Sequence, residues 1–187
     1  MLIFSFPEYE KYAGIAIFNG LKTSIENFFQ ELRKVSDVEF QLLDLSLIAG
    51  KEHLYFSILN ALYAFKNKKN FSRNLGIEIL LYASAQKQIK NAIEIIGAKP
   101  HQPMVLIALN SSEEKIKNFF SKASKFFEVN IEDSILEEWN EEKLQKIKEA
   151  FKISKEEIEA VKIKGVSLSE ILKKLVIERI ALLLIKG

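Results

Sequence analysis

The sequence predicts an α+β fold: a single domain over residues 1–187 with a central, mostly antiparallel sheet of three to five strands flanked by helices. Three observations carry that expectation. Short apolar runs rich in Ile and Phe, punctuated by Pro7, Gly20 and Pro103, have strand character. Longer segments repeat apolar residues at three- and four-residue intervals, the helical period. At 48% hydrophobic and 28% charged residues, a chain of 187 residues can bury a substantial core and remain soluble.

In chain order, residues 2–6 and 14–18 read as strands. From Leu21 the period changes, and Leu21, Ile25, Phe28, Phe29 and Leu32 place an amphipathic helix over residues 21–35. A third strand is expected at 40–45. A helix then runs to Phe65, with Leu54, Ile58, Leu62 and Phe65 in one stripe widened by Tyr55, Leu59 and Tyr63. So broad an apolar surface predicts cover on two sides. Residues 67–74 form a basic, polar loop. The apolar stretch 74–83 fits helix or strand by periodicity, and helix is preferred because residues 86–96 come next as a clearer helix capped by Gly97. A strand is expected at 104–109, and Ser112 with Glu113 and Glu114 opens a helix to Phe127. Residues 129–138 give no clear period. A helix spans 141–151. Ser154–Glu157 and Ser167–Glu170 are capping-box patterns, the second opening a C-terminal helix over 168–186.

Few chemistries are open to these residues. The absence of Cys excludes disulfides, thiolate metal sites and thiol nucleophiles. His53 and His101, far apart and without ligand spacing, read as structural, so no metal or other cofactor is expected. Gly20, Lys22 and Thr23 lack the spacing of a phosphate loop, which leaves Gly20 a turn residue. Glu137, Glu138, Glu141 and Glu142 lie in an acidic stretch with nothing apolar to perturb them. No Gly-x-Ser-x-Gly elbow occurs, and a non-enzyme is expected. The opening residues have no basic n-region, and the most apolar stretch, 168–185, is broken by Glu170, Lys173, Lys174, Glu178 and Arg179. A cytoplasmic protein without a membrane partner is the expectation.

The small net charge of +2 hides two opposed regions. Residues 66–90 carry six cations against the lone Glu78, and residues 128–160 carry eleven acids against five Lys. The basic stretch adds amides, hydroxyls and two exposed-looking rings, Phe71 and Tyr82, to its cations. Lys and Arg neutralise phosphates and aromatic rings stack on unpaired bases, a combination that grips single-stranded RNA. A solvated basic loop stays open beside that reading and is the commoner origin of a charge run.

The segment Asn74-Leu-Gly-Ile-Glu-Ile-Leu-Leu-Tyr-Ala-Ser-Ala-Gln-Lys-Gln-Ile89, with Ala92, Ile93, Ile96 and Gly97 after it, resembles the core of the Cgi-type subunit of the KEOPS complex, whose eukaryotic counterpart is the PRPK-binding protein. The preceding helix and the succeeding strand match in order, whereas the C-terminal third matches in length and helical character. The family often has Arg where this sequence has Lys87. The resemblance implies an antiparallel sheet flanked by helices. It also implies membership in the assembly that installs threonylcarbamoyladenosine on tRNA, as a non-catalytic accessory subunit. It implies two partners: the kinase-like ATPase subunit and the single-stranded 3′ CCA end of tRNA, with no DNA. Lys66, Lys69, Arg73, Asn74, Tyr82, Gln86 and Lys87 are the RNA-contacting candidates, and Leu75 or Ile79 the lining of an apolar slot for the terminal adenine. Leu168, Ile171, Leu172, Leu175 and Ile180 form a stripe expected to pack partly inside the domain and partly on the kinase-like subunit. The alternative is a purely protein-binding allosteric regulator of that subunit, with the basic loop incidental.

Overall fold

One long strand organises the sheet. The computed structural model describes residues 1–185. β2 (Lys11–Leu21) pairs along one edge with β4 (Met104–Asn110) and divides its other edge between β1 (Leu2–Phe6) and β5 (Phe127–Ile131). β3 (Glu39–Asp44) lies outside β4, and every pairing is antiparallel. Side chains alternate between the faces, and both faces are apolar because both are covered. Ala13, Ile15, Ile17, Val105, Ile107 and Leu109 enter one core, and Ala16, Phe18, Met104, Leu106 and Ala108 enter the other.

The smaller core is roofed by α1 (Ile25–Val35) and by α5 (Glu113–Ala123), and is dense in Phe: Phe28 meets Phe29, Phe40, Phe126 and Phe127 edge-on within 6.0 Å. The larger core is covered by α2 (Lys51–Lys66), α3 (Leu75–Ala83), α4 (Ile89–Ile96), α6 (Glu141–Ala150) and α8 (Leu168–Ile185). The short α7 (Lys155–Ala160) leans on it through Ile158. α2 packs against both α3 and α8, the two-sided cover its wide apolar surface requires. α3 runs so close to the sheet edge that a Cβ on Gly76 would lie 2.5 Å from the Phe40 carbonyl oxygen. Gln41 seals that contact by donating from Nε2 to the Gly76 carbonyl at 3.3 Å.

Several boundaries shift, each for a local reason. Leu21 does not open α1: it pairs with Phe127 in the sheet, and Ser24 caps the helix by accepting from Asn27 N–H at 3.2 Å. Gly20 lies inside β2 with φ of 65° instead of in a turn after it. α4 begins at Ile89, not Gln86, because Ala85 breaks the chain with φ of 52°. Gly97 is extended and bridges Leu43, so it ends α4 without a left-handed cap. Phe127 starts β5 and does not end α5. Ser154 and Glu157 form the expected reciprocal capping box. At Ser167 only half of the pattern forms. Its Oγ accepts from Glu170 N–H at 3.3 Å, while the Glu170 carboxylate takes Lys173 at 2.9 Å. α8 reaches Ile185, and Lys186 of the expected helix lies outside the described residues. No helix among the described residues is long and apolar enough to cross a membrane.

Candidate nucleic-acid interface

Two helix ends of the same construction frame the basic stretch. At the C terminus of α2, Lys68 N–H donates to Phe65 O (3.2 Å) and Lys69 N–H to Ala64 O (2.8 Å), with Lys68 left-handed at φ 56°. At the C terminus of α3, Ala85 N–H donates to Tyr82 O (2.9 Å) and Gln86 N–H to Leu81 O (3.0 Å), with Ala85 left-handed. Both are Schellman motifs, and both place a residue with a Cβ where glycine is the usual choice. The first turns the chain into the 67–74 loop, and the second turns it out towards Lys87.

The loop between them is pinned, contrary to the flexible character of its composition. Asn70 Nδ2 donates to Ser72 O at 2.9 Å. Asn74 caps α3, its Oδ1 accepting from Ile77 N–H at 2.9 Å, and its Nδ2 donates to Glu39 at 3.3 Å. Glu78, fully buried, reaches back from α3 and accepts from Phe71 N–H (3.1 Å) and Ser72 N–H (2.7 Å). Burial raises the Glu78 carboxyl above its ordinary range, and the two N–H donors partly oppose that shift.

With the loop fixed, Phe71 stays 38% exposed, its ring 6.3 Å from that of Tyr82. Lys87 comes back across the loop to place Nζ 5.6 Å from the Phe71 centroid, a cation–π contact. Lys69 and Arg73 are exposed. Lys90 sits in the first turn of α4, whose N-cap Gln88 makes no side-chain capping bond. The arrangement offers one cation over an accessible ring, further exposed cations in the same loop, and an uncapped helix N terminus at α4.

The expected residues divide accordingly. Lys69, Arg73 and Lys87 are exposed. Lys66 turns away, donating to Glu8 O at 3.2 Å with Nζ 5.3 Å from the Tyr9 ring. Asn74 is committed to capping, and Gln86 is half-buried. Tyr82 and Ile79 are wholly buried and Leu75 nearly so, which corrects both the exposed Tyr82 and the apolar slot. The cause is α3 itself, packed among α2, α4, α8 and β3. The Tyr82 hydroxyl has no hydrogen-bond partner among the described residues, and burial with the Glu78 charge raises its pKa. Glu78 is the residue that sequence reasoning left out of the site, and Phe71, read there as an exposed ring of the basic stretch, was not carried into the contact candidates. Their signals were an aromatic inside a cation run and a lone acid four residues beyond a capping Asn.

For the C-terminal stripe, the inward-packing half of the expectation describes four of the five residues, and those four are not a docking surface. Ile171, Leu172, Leu175 and Ile180 are buried in the chain's own core, and of the five only Leu168 is exposed. Apolar surface remains at Leu168, exposed in the first turn of α8, and at Val161 and Ile163, exposed in a groove lined also by Lys174 and Glu178. His53 is structural and fully buried, bonded to Ala49 and Ala83. Among the described residues no cluster of His, Asp and Glu is placed to hold a metal ion.

The fold and this surface define a class: an antiparallel sheet between two helical layers that displays a rigid basic loop over an aromatic ring. A family model described as kinase binding protein CGI-121 matches residues 18–183, and the chain belongs to that family. It is 37% identical over 116 residues to "Regulatory protein Cgi121" of Methanocaldococcus jannaschii, covering 62% of this chain and 72% of that protein. It is 32% identical over 71 residues to "KEOPS complex subunit Cgi121" of Pyrococcus abyssi, covering 37% of this chain and 42% of that one.

Proposed function

We propose that this chain is a non-catalytic subunit of a KEOPS-type assembly. It docks on a kinase-like ATPase subunit and captures the single-stranded 3′ CCA end of tRNA, in support of threonylcarbamoyladenosine modification. One observation carries the RNA half: Lys87 lies over the exposed Phe71, with the exposed Lys69 and Arg73 two residues to either side of it in sequence, on a loop that its own hydrogen bonds hold in place. Phosphates meet the cations and a base stacks on Phe71, displacing the Lys87 ammonium towards the backbone. In this reading Ile89, exposed at the start of α4, takes the apolar role that Leu75 and Ile79 do not supply. The kinase-docking half draws on the family's description and on the exposed Val161, Ile163 and Leu168.

The test is titration of the protein with tRNA that ends in CCA and with the same tRNA trimmed of those nucleotides. Capture of the 3′ end requires clearly tighter binding to the intact molecule. Equal affinity for both overturns capture of the 3′ end, and binding to neither returns the chain to the purely protein-binding regulator.

A further inference from the structure

A carboxylate buried beneath a phosphate-binding surface is an anomaly, because its charge repels the ligand and its burial destabilises the fold. Glu78 is that carboxylate. It is fully buried, and the two hydrogen bonds it accepts come from consecutive backbone N–H groups of the loop, those of Phe71 and Ser72. Among the described residues its side chain bonds to nothing in its own helix or in the sheet, so its hydrogen bonding is spent on the shape of residues 70–74. Drawing those two N–H groups inward orients the side chains on either side of them. Phe71 is the ring that Lys87 covers, and Arg73 lies between Ser72, held by Glu78, and Asn74, held as the α3 cap. Ser72 Oγ accepts from Asn74 N–H at 3.2 Å, which joins the two anchors.

We propose that Glu78 is a positioning residue, a latch that holds Phe71 and Arg73 in their RNA-competent arrangement before RNA arrives; this rests on the reading of the loop as an RNA site. Every polar backbone contact of the latch is internal, so the ligand meets side chains on a surface whose ordering cost was met during folding. Releasing the latch leaves the competent arrangement as one of many loop conformations, and apparent affinity falls by the fraction that remains competent.

The sign of one substitution separates a latch from a bystander. Glu78→Gln removes the repulsive charge and sets an amide donor against two N–H groups. A bystander carboxylate predicts equal or tighter RNA binding in this variant. A latch predicts weaker binding, by about tenfold if the competent fraction drops to roughly one in ten. The probes are CCA-ending tRNA and a short single-stranded oligoribonucleotide ending in CCA. Hydrogen exchange at the Phe71 and Ser72 amides is measured in the free protein and should accelerate in the variant. If Glu78→Gln does not fold, Glu78→Asp decides in the same manner, since it keeps the charge and draws it out of reach of the loop. A folded variant that binds RNA at least as tightly as wild type overturns the latch. Arg73→Glu measured alongside separates the two levels. If it binds like wild type, the RNA site itself is misplaced. If it loses binding while the Glu78 variant keeps it, only the latch fails.

Discussion

His53 gives the most direct test of the fold, because two hydrogen bonds fix its protonation state. Its Nδ1 accepts from Ala49 N–H at 3.0 Å and its Nε2 donates to Ala83 O at 2.8 Å, so the ring is the neutral Nε2–H tautomer. A second proton would have to sit on Nδ1, facing the Ala49 N–H. Burial, chiefly, pushes the pKa down to about 4, and the Lys143 charge adds to that shift. An unfolded His titrates near ~6.5. Below ~6.5 the unfolded chain therefore takes up a proton that the native chain refuses, and stability falls with pH until the native ring titrates near 4. At ~1.4 kcal/mol per pH unit the loss across this window is about 3 kcal/mol, a large share of the ~5–15 kcal/mol of a typical domain. Urea denaturation at pH 7, 5.5 and 4 on wild type and His53→Gln measures it. The variant loses stability at neutral pH, where wild type is fully bonded, and its deficit should shrink by about 3 kcal/mol on acidification. Carboxylates stabilised by cations, such as Glu137 beside Lys173, lose their contribution lower down and do so equally in both proteins. Parallel curves for the two proteins between pH 6.5 and 4 would refute the assignment.

Other expectations test the surface and the backbone. Arg73→Glu should weaken tRNA binding at least tenfold, since a charge-assisted bond is worth about 1.5–3 kcal/mol and tenfold needs ~1.4 kcal/mol. The salt dependence of binding should flatten with it, while the melting temperature stays put. Ala85→Gly should raise stability by up to about 1 kcal/mol, the relief of a left-handed Cβ less the entropy of glycine; a lower denaturation midpoint would count against the Schellman geometry. Ile163→Asp, on an exposed side chain, should leave the fold intact and weaken co-elution with the kinase-like subunit. Leu172→Asp, in the core, should unfold the chain.

The residues legible in the sequence were those whose environment is decided locally. Ser154 and Glu157 form their box because both partners lie within one turn. Lys69, Arg73 and Lys87 stay exposed because desolvating a cation is costly wherever the chain goes. The apolar strands were recognisable for the same reason, since β2 and β4 are apolar on both faces. Tyr82 and the docking half of the α8 stripe were misplaced because their surroundings are decided by distant elements. Tyr82 lies among cations in sequence, and its burial results from α2, α4, α8 and β3 closing around α3. Ile171, Leu172, Leu175 and Ile180 announce that something covers them without revealing that the cover is this chain's own core. Glu78 belongs to both kinds. Its reach to Phe71 and Ser72 is local, four residues past a helix cap, and its burial is tertiary. A carboxylate with only the local part would be a dispensable capping group. Enclosed by the core, it cannot exchange its loop donors for water, and the local bond becomes a constraint on how the basic surface is presented.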